Sequence, residues 1–212
     1  MKKIDNIERI LNSGALAVVR ANPERALEIA KGIVKGGIPV MEISYTNSDA
    51  PKAIELIRKE FGNQLLVGAG TVNNAPTAKD AIAHGAGFIY SPIFDQDVMK
   101  LANEYQIPYA PGCSTVTEAI QALRAGATFI KYFPYGGFMG PDIIKTIKTP
   151  IPDMPLLESG NVNENNIQDW FAAGVEVVGI GGALSKGNSE EIAKKARIFR
   201  NKIDEFRTKQ IK

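Results

Sequence analysis

The sequence has a single cysteine, Cys113, in 212 residues. No disulfide can form within the chain, which fits a reducing compartment and a cytoplasmic protein. It also has a single histidine, His84. Without clustered His and Cys ligands no metal site is expected. A Ser–His–Asp hydrolase is excluded on the same ground, because His84 closes the helix-like segment KDAIAHG, on the rim opposite any site built at strand ends. No stretch approaches the ~18 apolar residues of a membrane span. The N-terminal MKKIDNIERILNSG is charged throughout and lacks the apolar centre of a signal peptide. An excess of one charge is missing too: 25 Lys and Arg against 23 Asp and Glu leave a net charge of +2. No long-range attraction to nucleic acid or membrane is therefore expected, and an acidic small molecule would have to be held by local groups. The C-terminal basic residues Lys194, Lys195, Arg197, Arg200 and Lys202 alternate with Glu190, Glu191, Asp204 and Glu205, the pattern of a solvated helix face.

What the chain does have is a repeated unit. The apolar share is 44% and the charged share 23%, enough for a core that needs no cross-links. A helix-period segment ends in glycine and a short apolar run follows, at KGG-IPVMEIS (Gly36, Gly37), HGAG-FIYS (Gly85, Gly87), RAGA-TFIKYF (Gly126) and AAGV-EVVGIG (Gly174). Glycine after a helix takes the left-handed conformation that stops it. Short runs rich in Val, Ile and Phe are strands buried on both faces. Eight such runs occur: Leu16–Arg20, Val40–Tyr45, Leu65–Ala69, Phe88–Ser91, Ile107–Ala110, Thr128–Phe133, Leu156–Glu158 and Val175–Ile180. Between them lie amphipathic segments with helix-start signals, among them proline near the first turn and the capping box Thr115-Val-Thr-Glu118. Strands alternating with helices imply a parallel sheet. Eight units in this length predict one α/β domain over residues 1–212, a single (β/α)8 (TIM) barrel with a short N-terminal helix at Asn6–Leu11 and a last helix over Ser189–Thr208. An open doubly wound sheet is the alternative.

In such barrels function collects at the C-terminal ends of the strands. Lys131 lies inside ATFIKYFPY, with Phe129 and Phe133 two positions to either side on the same strand face. An interior ammonium is costly to desolvate. Desolvation also lowers a lysine's pKa and yields the neutral amine that attacks a ketone. The other placement is a lysine on the outer side of the barrel, snorkelling between helices. Glu42 in PVMEISY is a carboxylate in a buried strand, suited to general acid–base work, or else to a structural ion pair. Arg20 ends the first strand, where its planar fork suits a carboxylate, or where it simply faces solvent. Thr71 follows the third strand in VGAGTV, which is not a dinucleotide fingerprint because the third glycine is missing. Glycines after the last two strands, in ESGNVNENN and VVGIGGALSKG, stand where barrels build phosphate cups from backbone N–H groups. A helix beginning near Asn163 would add its N-terminal amides. Tight packing of these turns is the alternative. Cys113 follows Pro-Gly near the active rim, but no base partner is visible for a nucleophilic thiol.

Taken together, AVVRA, GGIPVMEISYT, VGAGTV, SPIFD, PYAPGCSTVTEA, GATFIKYFP, FMGPDIIKTIK and VGIGGALSKG resemble the 2-keto-3-deoxy-6-phosphogluconate (KDPG) and 4-hydroxy-2-oxoglutarate (KHG) aldolases over nearly the whole chain. The resemblance implies a homotrimeric (β/α)8 aldolase working without metal or cofactor. It would cleave KDPG to pyruvate and glyceraldehyde 3-phosphate, or KHG to pyruvate and glyoxylate. It assigns the Schiff-base lysine to Lys131, the catalytic glutamate to Glu42, the carboxylate contacts to Arg20 and Thr71, and the apolar wall around the imine to Pro92 and Phe133. A second branch of the family carries the arginine after strand two, where this sequence has Thr46. The distal end of the substrate would meet Ser159, Gly160, Asn161, Gly181 and Gly182. Two departures fall there: Ser159-Gly160-Asn161 replaces Thr-Gly-Gly, and Gly181-Gly182 stands where the family has Gly-Ser. Glu158, where proline is common, adds a negative charge near the cup. Alternatives are an aldolase for an unphosphorylated or epimeric 2-keto-3-deoxy acid, a metal-independent phosphosugar isomerase or decarboxylase, and a barrel that binds sugar acids without turnover.

Overall fold

The structure, a computed structural model, describes residues 2–210. Among these, nine parallel strands are formed: β1 (Ala15–Val19), β2 (Val40–Ser44), β3 (Leu66–Gly70), β4 (Ile89–Tyr90), β5 (Tyr109–Ala110), β6 (Gly112–Cys113), β7 (Ile130–Tyr132), β8 (Leu156–Glu158) and β9 (Val177–Ile180). Their order is β5-β4-β3-β2-β1-β9-β8-β7-β6. β5 and β6 are two halves of one barrel strand, interrupted because Pro111 has no N–H to give to the ladder. On one side of this strand the Ser91 N–H donates to Ala110 O at 3.1 Å; on the other, Lys131 N–H donates to Pro111 O and Thr128 N–H to Tyr109 O, both at 2.9 Å. The sheet therefore closes, and the eight runs read from the sequence are the eight strands of a (β/α)8 barrel.

The helices are α1 (Lys2–Ser13), α2 (Pro23–Lys35), α3 (Ala50–Phe61), α4 (Ala75–Ala83), α5 (Gln96–Glu104), α6 (Val116–Ala125), α7 (Gly136–Met139), α8 (Pro141–Lys148), α9 (Ile167–Ala172) and α10 (Ser189–Gln210). Their starts follow local chemistry. The side chains of Asn22, Asn74 and Asp95 accept from backbone N–H groups in the first turns of α2, α4 and α5, and Thr115 with Glu118 forms the expected capping box on α6. At each of the four glycine junctions one residue has positive φ: Gly37, Gly85, Gly126 and Gly174.

The core has two shells. Between strands and helices lie Val19, Ile43, Ile89, Ile130 and Ile180; within the barrel lie Leu16, Val18, Val40, Leu66, Phe88, Tyr90, Phe129, Leu157 and Val177. Fully burying one such large side chain stabilises by roughly 1.5–3 kcal/mol. Ile10 of α1 joins the inner shell, and Asn6 Nδ2 donates to Gly87 O at 2.7 Å, so α1 plugs the N-terminal face. This helix is longer than the Asn6–Leu11 segment expected, because Arg207 and Arg200 of α10 donate to Leu11 O, Asn12 O and Ser13 O and thereby satisfy its last carbonyls. The basic face of α10 is thus only partly a solvated one. A second correction concerns the helix expected near Asn163. It begins at Ile167, because the Asn166 and Asn163 side chains accept from the N–H groups of Asn163 and Asn165 and hold the preceding residues in a turn.

Candidate active site

Small residues clear the C-terminal end of the barrel, and the polar side chains occupy the space they leave. Phe129 belongs to the inner shell, so alternation along the strand turns Lys131 into the lumen and rules out the outward, snorkelling placement. Lys131 sits in register between Gly112 and Leu157. A side chain at Gly112 would overlap the Pro92 carbonyl oxygen; this close approach also brings Pro92 beside the lysine strand. The interior placement expected from the sequence holds, but Lys131 is only half-buried. The reason is the open mouth beside it, where Phe133 is 39% exposed with its ring centroid 5.2 Å from Nζ.

Glu42 is buried in β2, in register with Gly68. A Cβ at Gly70 would overlap its Oε1, so Gly70 is what admits the carboxyl. Oε2 has no hydrogen-bond partner. Burial pushes the carboxyl well above the usual carboxylate range, against the charges of Lys131 and Arg20, which pull it down. A structural ion pair would have satisfied Oε2; an unpartnered, poised acid–base group has the opposite signature. Tyr90, also facing the lumen, carries a second unpartnered oxygen, and its hydroxyl is held protonated by burial and by the charge of Glu42. Tyr90 was not singled out from the sequence, since a tyrosine in an apolar run carries no sign of which way it faces.

Arg20 lies just beyond β1 and is exposed. Thr71 follows β3 at φ 61°, a strained conformation for a β-branched residue. Its Oγ1 lies 2.9 Å from Ser44 Oγ, which lies 3.0 Å from Thr46 Oγ1. This chain of hydroxyls runs along the rim beside Glu42, and the buried Ser44 was missed because serine at a strand end gives no distinctive pattern. Such strain costs roughly 1–3 kcal/mol and persists where function holds it. Thr71→Gly is accordingly expected to leave the melting temperature unchanged or raised, while loss of the hydroxyl raises KM for a 2-keto acid about tenfold. A fall in melting temperature with unaltered KM would contradict this.

At the last two strands, Gly160 is partly buried and Asn161 takes φ 56°, the left-handed turn that asparagine tolerates. A Cβ built at Gly181 or Gly182 meets nothing within 4 Å, so this loop borders open space. Glu158 is 2% exposed at the end of β8, with Oε1 accepting from Ser159 N–H at 2.9 Å and Gly160 N–H at 2.5 Å. Burial pushes this carboxyl up to about 7, against the two amides and the charge of Lys131; Tyr132 faces the same carboxyl. The folded protein therefore holds a proton that the unfolded chain releases near 4.5. The contribution of Glu158 to stability is expected to fall by a few kcal/mol as pH rises from about 4.5 to 7. Glu158→Gln should flatten that segment of a melting-temperature profile, and a profile unchanged by the substitution would refute the assignment.

Two further residues are settled by their surroundings. Cys113 points into the outer shell, where burial pushes its thiol up to about 12, so it is not a nucleophile at neutral pH. His84 caps α4 and its Nδ1 lies 2.9 Å from Asp80 O. Among the described residues no group of three or more His, Cys, Asp or Glu is placed to hold a metal ion, and no helix is long and apolar enough to cross a membrane.

A (β/α)8 barrel with a lysine and a buried carboxyl in its mouth has the groups that a class I, Schiff-base aldolase requires. The model of the KDPG and KHG aldolase family matches residues 7–200, and the chain belongs to that family. It is 33% identical over 189 residues to the 2-dehydro-3-deoxy-6-phosphogalactonate aldolase of Escherichia coli strain K12, covering 87% of this chain and 91% of that one. It is also 33% identical over 199 residues to the KHG/KDPG aldolase of the same strain, covering 90% and 92%. Among solved structures, KDPG aldolase from Legionella pneumophila, with pyruvate captured at low pH as a covalent carbinolamine intermediate, superposes with a TM-score of 0.81 at 28% identity, over 90% of this chain and 96% of that chain. The protein is a class I aldolase, a carbon–carbon lyase.

Proposed function

We propose that this aldolase releases pyruvate from a 2-keto-3-deoxy or 4-hydroxy-2-oxo acid, with Lys131 as the imine-forming residue and Glu42 as the acid–base. The observation that carries this reading is the pairing of a lumen-facing lysine with a buried, unpartnered carboxyl that feels its charge. The deprotonated Lys131 amine attacks the 2-keto carbon; water leaves and a protonated imine remains as the electron sink. Glu42 takes the proton of the 4-hydroxyl, directly or through a water, and the bond between carbons 3 and 4 breaks to release an aldehyde and a pyruvate enamine. Glu42 then returns a proton to the enamine carbon, and water frees pyruvate from Lys131. Arg20 and Thr71 hold the carboxylate and so orient the reacting carbons. Pro92 and Phe133 wall the imine. Ser159, Gly160, Asn161, Gly181 and Gly182 border the distal end of the substrate. No metal or cofactor enters any step.

The assembly belonging to this reading is a cytoplasmic homotrimer. Self-association is supported by exposed apolar side chains on α7, where Phe138 is 88% and Met139 56% exposed, an unusual surface for a chain that stays alone. The experiment that tests the chemistry is borohydride reduction in the presence of pyruvate, followed by peptide mapping. A reduced pyruvyl adduct on Lys131 supports the reading, and folded protein without any adduct overturns it.

A further inference from the structure

The loops after β8 and β9 are where barrels of this kind hold a substrate phosphate on backbone amides. In this chain the two loops are not equivalent. The β9 side is open at Gly181 and Gly182. On the β8 side the amides are engaged from within: Glu158 Oε1 accepts from both Ser159 and Gly160. This is a built arrangement. Glu158 is almost wholly buried, a Cβ at Gly136 would overlap its Oε2, and the glycine pair Gly136–Gly137 lies directly over Glu158 and Gly160. Oε2 itself has no partner. A phosphate arriving here would meet two amides already bonded to a carboxyl, and a carboxyl that must stay protonated to avoid repelling it. Around the same turn the side chains are neutral amides, whose donors are also engaged within the loop. Asn161 Nδ2 reaches Gly137 O at 3.4 Å, and the side chains of Asn163 and Asn166 bracket Asn161 O at 3.3 and 2.9 Å. None of these side chains carries a charge for a phosphate.

We infer that Glu158 is a specificity-determining residue that closes the β8 half of the phosphate cup, so that the aldehyde half of the substrate ends in a hydroxyl and not in a phosphate. The inference rests on the aldolase reading above, and departs from what the names of the curated relatives say of their own substrates.

The test runs in the condensation direction with intact enzyme, pyruvate and one of three aldehydes: glyceraldehyde, glyceraldehyde 3-phosphate, or glyoxylate, which has no distal end. Carbon 3 of the pyruvate enamine attacks the aldehyde carbon, the new hydroxyl takes a proton, and hydrolysis of the imine returns the lysine. Glyceraldehyde is expected to exceed its phosphate ester in kcat/KM by about tenfold or more, the scale of one lost charge-assisted contact. Inorganic phosphate at millimolar concentration should not compete. Glu158→Ala frees the amides and should move the ratio at least about tenfold towards the phosphorylated aldehyde. The fraction of the same variant that traps pyruvate on Lys131 corrects for any loss of folded enzyme, and Glu158→Gln, which keeps an acceptor but no charge, should fall between. A wild-type preference for the phosphate ester, or a ratio unmoved in both variants while pyruvate still traps on Lys131, overturns the inference and leaves the aldolase reading standing. Absence of the trapped adduct overturns both.

Discussion

Replacing Lys131 with alanine is expected to reduce turnover to background and to abolish the borohydride-trapped adduct. Loss of a covalent nucleophile costs on the order of 10⁶-fold in enzymes that depend on one. The substitution has a second effect that helps to separate chemistry from folding. The Lys131 charge pulls down both Glu42 and Glu158. Without it both carboxyls rise further, and Glu42 Oε2 and Glu158 Oε2, which have no hydrogen-bond partner, lose none. Lys131→Met, which keeps most of the side-chain volume, should therefore melt within a few degrees of the wild type and still be inactive. Measurable turnover in either variant, with the protein folded by circular dichroism, would remove the imine from the mechanism.

The second large effect is at Glu42. Glu42→Gln is expected to keep imine formation with pyruvate, since Lys131 is untouched, and to lower kcat by roughly 100- to 10,000-fold, the worth of one positioned acid–base group. The glutamine fills the space that Gly70 leaves, so packing is preserved. Removing a titrating group that burial forces upward in pKa should also change the pH profile of the remaining activity. A variant that traps pyruvate but turns over at the wild-type rate would assign the proton transfers to another group. Tyr90, with its buried and unpartnered hydroxyl, would be the first to examine.

The barrel was legible because its signal is redundant: eight apolar runs, four of them entered through the glycine junctions named above, leave few other arrangements. Lys131 and Glu42 were legible for a related reason, as charges inside apolar runs are rare and costly. What remained hidden depends on direction and on local competition. Thr71 could be named from its place after β3, but its strained φ and its bond to Ser44 depend on how two strand ends meet. Pro111 in the middle of a barrel strand was read as a strand end, because the partner that bridges it, Lys131 N–H, comes from β7, far along the chain. The helix expected near Asn163 was displaced by asparagine side chains that bond the backbone better than a first helical turn does. Glu158 could be read as a charge near the cup. That it turns back onto the amides of the next two residues is set by the close approach of Gly136 and Gly137, which no pattern in the strand itself announces.

The two arginines of α10 that cap α1 also tie the C-terminal end of that helix to the last helix of the described chain. Both helices meet at the N-terminal face of the barrel, where Lys3 contacts Asn103 and Arg207 reaches Leu11 and Asn12. Lys131, Glu42 and the loops after β8 and β9 lie at the opposite face. A fusion partner or surface tether attached at either of these helices would hang from the side remote from the chemistry. The molecule can thus be anchored or displayed from one pole while the other continues to admit and release its substrate.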